Sequence, residues 1–271
     1  MSNSVKRVIS SFVIVPIVLS VFIFGNKYII DIFTSIIAIR CIYEVLNAFK
    51  KKNYHPIDAI AYIAAISIAF LHVVPDEYLF LYIEGLFAIS ILVLFIITII
   101  NHKKLNVSDI AVTLFTICYI VGFTIFVSLL CNKNESGRFL VWYVIIAAWF
   151  TDVFAYETGK LMGKHHFTEI SPKKTIEGCI GGVIGAIIGF AVYTFILNSY
   201  FGFNINYVVI SIAAVILSVI GQIGDLAASS IKRYVGIKDF SNLIPGHGGM
   251  LDRIDSLIFI APFTYFLFLL I

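Results

Sequence analysis

Apolar residues in this chain come in long unbroken runs. They do not alternate with polar ones as in a half-buried strand, nor form the one-sided stripe of a soluble helix. Nine runs stand out, at about 8–24, 28–48, 57–74, 78–100, 107–130, 139–157, 178–200, 205–228 and 251–271. A membrane-crossing helix needs about 20 mostly apolar residues, and backbone groups in lipid must pair within their own segment. The pattern therefore predicts an all-α, polytopic integral membrane protein with about nine transmembrane helices. A β-barrel would show short alternating strands instead. Composition points the same way, with 60% hydrophobic and 13% charged residues, against about 45–50% and about 25% in soluble domains.

The charges give the runs a direction. If the N-terminus is cytoplasmic and nine spans alternate, one side collects Lys6, Arg7, Lys50, Lys51, Lys52, Lys103, Lys104, Lys160, Lys164, Lys173, Lys174, Lys232, Arg233 and Lys238. The other side collects only Lys27, Lys133 and Arg138. Cytoplasmic loops carry the excess of Lys and Arg, which predicts N-terminus in and C-terminus out. The first run follows Lys6-Arg7 as a signal peptide would, but no small-x-small cleavage site follows it, and it is kept as a span. A net charge of +3 is too small to imply a nucleic-acid partner. Cys41, Cys118, Cys131 and Cys179 are scattered without metal-site spacing and read as small apolar residues.

The chain divides into residues 1–138, N-terminal transmembrane helices, and 139–271, a C-terminal catalytic transmembrane region. Most charges of the first part sit at span ends, where snorkelling accounts for them. The second part carries two long loops, at about 158–177 and 229–250, both on the positive side. Loops of this length are usually functional or disordered, and since neither is low in complexity they read as functional. Gly181, Gly185 and Gly189 share one helix face, a pattern that lets helices pack closely.

Carboxylates inside a span are costly and face a cavity, an ion or a partner. Asp152 and Asp225 lie in spans, and Asp252 and Asp255 share a face at the start of the last one. They either cap helix ends or pair with Arg253 and Lys232, or they build a site. Glycines around Asp225, and Gly246, Gly248 and Gly249 before Asp252, open the backbone there. A glycine turn feeding a helix N-terminus can aim N–H groups at a phosphate. A few carboxylates with substrate phosphates suit Mg²⁺. With Lys232, Arg233 and Lys238 nearby, these residues point to phosphoryl-group chemistry at a membrane surface.

The segment Ser229-x-Ile231-Lys232-Arg233, Lys238-Asp239-x-Ser241, Ile244-Pro245-x-His247-Gly248-Gly249-Met250-x-Asp252-Arg253-Ile254-Asp255 resembles the signature of the phosphatidate cytidylyltransferase family at every defined position. Upstream, Asp152-x-x-Ala155-Tyr156-x-x-Gly159-Lys160, Gly163-Lys164, Ser171-Pro172-Lys173-Lys174-Thr175-x-Glu177-Gly178 and Gly224-Asp225-Leu226 are similar to that family as well. The resemblance covers about 152–255; the first half matches only as hydrophobic spans.

The resemblance implies transfer of CMP from CTP to phosphatidic acid, giving CDP-diacylglycerol and pyrophosphate. It implies Asp225, Asp252, Lys232 and Arg233 as catalytic residues, with Asp225, Asp252 and Asp255 as Mg²⁺ ligands and a second cation beside them. Asp152 lines the same cavity in this picture. Lys173, Lys174, Ser229, Lys238, His247, Gly248 and Gly249 are the expected substrate-binding set. The basic residues among them serve equally well for attraction to anionic headgroups, and His247 either donates to the leaving pyrophosphate or is structural. Expected partners are CTP, phosphatidic acid and membrane lipids. A homodimer is admitted by the resemblance, and the glycine face offers a surface for one. The expected location is a bacterial inner membrane, with the active site facing the cytoplasm.

Three rivals are weighed against this reading. A CTP-using polyprenol kinase does not need the Lys-Asp, His-Gly-Gly and Asp-Arg-x-Asp elements. A CDP-alcohol phosphotransferase needs Asp-Gly-x-x-Ala-Arg, whereas Asp225 is followed by Leu226-Ala227-Ala228. An ion or lipid transporter would use the span carboxylates as ion sites, but two charged loops on one side fit an alternating-access design poorly.

Overall fold

The computed structural model describes residues 3–132, 137–244, 246 and 248–270, and the side chains of these except 3–11, 13, 14 and 270. His247 therefore lies outside the described residues. The described chain is helical, and its only β-type pairings are two isolated bridges, His166 with Thr175 and Ile244 with Gly248.

The helices are α1 (Asn3–Phe24), α2 (Lys27–Lys50), α3 (Asp58–Ser67), α4 (Leu79–Ile100), α5 (Val107–Thr116), α6 (Gly122–Cys131), α7 (Gly137–Met162), α8 (Ile176–Tyr200), α9 (Tyr207–Val235) and α10 (Leu251–Leu270). α3 runs on into a 3-10 turn, Ile68–Val73, and a π-helical turn, Ile117–Val121, joins α5 to α6 in one rod. Local sequence starts several of them. Asn26 caps α2 by accepting from the Ile29 N–H, Asn106 and Asp109 form a reciprocal capping box at α5, and Thr175 accepts from the Gly178 N–H at α8.

Among the described residues, five segments are long and apolar enough to cross a membrane: Asp76–Ile100, Val107–Cys131, Gly137–Met162, Ile176–Tyr200 and Tyr207–Val235. At about 1.5 Å per residue each exceeds the roughly 30 Å of a hydrocarbon core. The chain is thus an all-α membrane protein. The second long loop expected from sequence is shorter in the structure. α9 continues to Val235, so Ser229, Lys232 and Arg233 stand on a helix. Nothing in that stretch breaks a helix until Gly236, whose φ of +76° ends it.

By internal contacts the chain forms two compact units. The first is Met1–Asn132 with Tyr234–Arg253; the second is Lys133–Arg233 with Ile254–Ile271. In the first unit α2 is the central helix, packed by α3, α5 and α6, with Ile30, Ala38, Ile42, Val45 and Leu46 buried. Two of its charges, away from the span ends, are buried as well. Asp31 accepts from the backbone N–H of His72 at 3.0 Å, pairs with the His72 ring at 2.9 Å and bonds the Ser128 hydroxyl. Glu44 is the other, and it belongs to the site described below.

In the second unit α7 and α8 form an extensive helix pair. The glycine face of α8 is what lets them close. A Cβ at Gly185 would fall 2.4 Å from the Phe154 ring, one at Gly181 2.2 Å from Thr158 and one at Gly189 2.7 Å from Ile146. That face is filled from within the chain, so a homodimer would have to use another surface. Tyr143 packs on Phe190, Tyr193 and Phe268 and bonds Thr194 at 2.8 Å.

Candidate active site

In the second unit the expected site residues gather at the C-terminal half of α9. Asp225 is paired with Lys174, Nζ to Oδ2 at 2.5 Å. Its neighbour Gly224 sits where a Cβ would fall 2.7 Å from the Asp255 carbonyl oxygen and 2.9 Å from Phe259. That close approach seats α10 on α9 and places Asp255, only 7% exposed, in the electrostatic field of Asp225, Lys232 and Asp152. Ser229, also buried, lies one helical turn beyond Asp225. Lys173 and Arg233 are exposed and Lys232 is half-buried. Arg233 Nε donates to the Ile170 carbonyl at 3.3 Å, tying α9 to the loop before α8. That loop is held in turn by His165 on Glu177 at 2.6 Å and by the Phe167 N–H on the Lys174 carbonyl at 2.9 Å.

The signature turn belongs to the first unit and is organised by two carboxylates. Asp252 Oδ2 accepts from the backbone N–H of Gly249 and of Phe240, both at 2.9 Å. Glu44 accepts from the N–H of Met250 and of Leu251, both at 2.9 Å, and from the Ser241 hydroxyl at 2.6 Å. The Gly248 N–H donates to the Ile244 carbonyl at 3.1 Å. The sequence had aimed these N–H groups at a substrate phosphate; in the structure those of Gly248, Gly249, Met250 and Leu251 bond within the protein. The glycines act by their small size instead: a Cβ on Gly249 would fall 2.5 Å from the Glu44 carboxylate, and one on Gly248 3.0 Å from Asp252. Lys238 and Asp239 are exposed.

Against known sequences, residues 5–271 match the profile of the Cytidylyltransferase family. The chain belongs to this family. It is 32% identical over 258 residues to a protein of Staphylococcus haemolyticus named phosphatidate cytidylyltransferase, covering 94% of this chain and 95% of that one. Proteins of the same name from Staphylococcus epidermidis and Staphylococcus aureus are 31% and 32% identical, each over 96% of this chain and 95% of their own length. The match includes the N-terminal half, which the sequence motifs left bare.

For a member of the cytidylyltransferase family the charge inventory of the second unit is apt. A buried carboxylate beside a second one calls for positive charge, and Lys174 and Lys232 supply part of it. Two carboxylates of this kind, completed by substrate phosphate oxygens, fit a magnesium ion. No three His, Cys, Asp or Glu side chains among the described residues stand close enough together to hold an ion by themselves. Glu44 and its partner Arg40 were missed in the sequence. The signal was there: a carboxylate and a guanidinium four residues apart in the middle of an apolar run.

Proposed function

We propose that this protein transfers CMP from CTP to phosphatidic acid at a membrane surface. The observation that carries this is family membership across residues 5–271, to which the charged cluster of the second unit gives a chemical use. A phosphate oxygen of the lipid attacks the α-phosphorus of CTP. The new P–O bond forms as the bond to the β-phosphate oxygen breaks, and pyrophosphate leaves with that electron pair. The lipid phosphate is already anionic, so positioning and charge neutralisation outweigh general-base catalysis.

Asp225 and Asp255 would hold Mg²⁺, which when bound neutralises charge on the triphosphate; Asp252 joins this set by its place in the signature, as does a second cation. Lys174, released from Asp225 when positive charge arrives there, turns to phosphate. Lys173, Lys232, Arg233 and Lys238 provide further phosphate contacts, the guanidinium as a two-pronged donor and the ammonium groups as point charges. Ser229 completes the polar lining near Asp225. The reading also takes nine spans, with the N-terminus and the active site on the cytoplasmic side of a cell's inner membrane, where CTP is supplied.

The test is conversion of phosphatidic acid to CDP-diacylglycerol by the purified protein in detergent with CTP and Mg²⁺, alongside Asp255→Asn. Product from the parent and a loss of about 100-fold or more in the variant is the expected result. No product from a folded parent with any phosphatidic acid or divalent cation sinks the proposal.

A further inference from the structure

Glu44 is a buried carboxylate, 1% exposed, on α2, in the half of the chain that the sequence motifs do not reach. Among the described residues its carboxylate accepts hydrogen bonds from the signature segment of the same unit: Ser241, Met250 and Leu251. Arg40, one turn earlier, brings the counter-charge, with Nε 3.3 Å from the carboxylate and Nη2 donating to the Ser241 hydroxyl at 3.2 Å. Gly249 has no side chain where the carboxylate lies. A buried charge is tolerated only when paired and fully hydrogen-bonded, and this one meets both conditions.

A simple helix cap does not account for the arrangement. A cap is ordinarily a Ser, Thr, Asp or Asn at the N-cap position, which before α10 is Met250. The first N–H groups of α10 rely instead on a carboxylate distant in sequence. The N–H groups of Gly249, Met250 and Leu251 are shared in order between Asp252 and Glu44. The carboxylate of Asp252 thus takes its orientation from a turn that Glu44 holds from the other side.

We propose that Glu44 is a positioning residue for the cytidylyl transfer, an inference that rests on the function proposed above. It fixes the entry into α10 and with it the place of Asp252, with Arg40 holding Glu44. The reaction machinery therefore includes α2, and the N-terminal unit is more than a membrane anchor.

The full-length parent, Glu44→Gln, Glu44→Asp and Arg40→Lys are compared in detergent, over ranges of CTP and phosphatidic acid concentration, with thermal unfolding of each. Gln keeps the shape but turns an NH₂ group toward backbone donors. We expect kcat to fall about 100-fold in Glu44→Gln, the size of effect that a small misplacement of a reacting group produces. Both KM values should stay within about threefold, because the interaction lost is not one with bound substrate. Glu44→Asp keeps the charge and recovers part of the loss. A merely structural Glu44 would lower the unfolding temperature and leave the kcat of folded protein unchanged. Parental kcat in folded Glu44→Gln overturns the inference. If that variant does not fold, the milder Arg40→Lys decides: reduced kcat at unchanged KM supports it, and parental kcat overturns it. A parent that makes no product overturns the transfer itself.

Discussion

The carboxylate of Asp252 has a structural duty, the proposed function gives it a second, and substitutions can separate the two. One is local: its Oδ2 satisfies two backbone N–H groups, of Phe240 and Gly249. The other is its charge. Asp252→Asn keeps an oxygen able to accept both bonds and removes the charge. Asp252→Ala removes both and strands two donors, at a cost of about 1–3 kcal/mol for each one left buried. Thermal unfolding should therefore show Asp252→Ala clearly destabilised and Asp252→Asn close to the parent, while CDP-diacylglycerol formation is lost in both. Equal stability of the two variants would mean that the turn does not depend on these bonds. Asp252 stands out in the sequence because glycines precede it at a helix start. Its use of those N–H groups was not legible, because a glycine turn that cradles phosphate and one that cradles a carboxylate are written alike. Glu44 was illegible as a partner for the opposite reason: nothing local links it to residues about 200 positions on.

Helix packing in the second unit follows from where glycine stands. The spacing of Gly181, Gly185 and Gly189 announced a close-packed face, but a single sequence does not name the neighbour; the structure assigns α7. Widening α8 at Gly185 with Leu would drive a side chain into Phe154. Overpacking of this kind costs about 1–3 kcal/mol. The same substitution at Gly85 on α4, where an added Cβ meets nothing within 4 Å, serves as the control. Gly185→Leu should lower the unfolding temperature in detergent and Gly85→Leu should not. An unchanged midpoint for Gly185→Leu would show that α7 does not lie on this face. Helix ends were less legible than helix existence. α9 runs six residues past Ser229, to Val235, because Lys232, Arg233 and Tyr234 continue a helix as well as they start a loop. Asp225, Ser229 and Lys232 therefore ride on one helix.

At the scale of the whole molecule the informative quantity is which side each loop faces. The helical rods follow the nine apolar runs, and among the described residues five segments are long and apolar enough to cross a membrane on composition. α2 falls short because Asp31, Arg40 and Glu44 interrupt its apolar character, although the two carboxylates are buried in protein contacts and Arg40 sits beside Glu44. A charge held by its own protein does not face lipid, so these charges do not bar α2 from a membrane. The positive-inside asymmetry does not depend on them, because it counts loop residues. With nine spans and a cytoplasmic N-terminus, residues 101–106 and 163–175 face the cytoplasm and 201–206 face outward. In a chain whose four native cysteines are replaced, Lys104→Cys and Ser171→Cys should be shielded from a membrane-impermeant maleimide in intact cells and labelled after permeabilisation. Asn204→Cys should be labelled in both. The reverse pattern would put the Lys174–Asp225 cluster on the side without CTP and contradict the transfer mechanism. Lys104 and Ser171 on opposite sides would contradict the two spans placed between them, leaving the chemistry intact but the number of spans wrong.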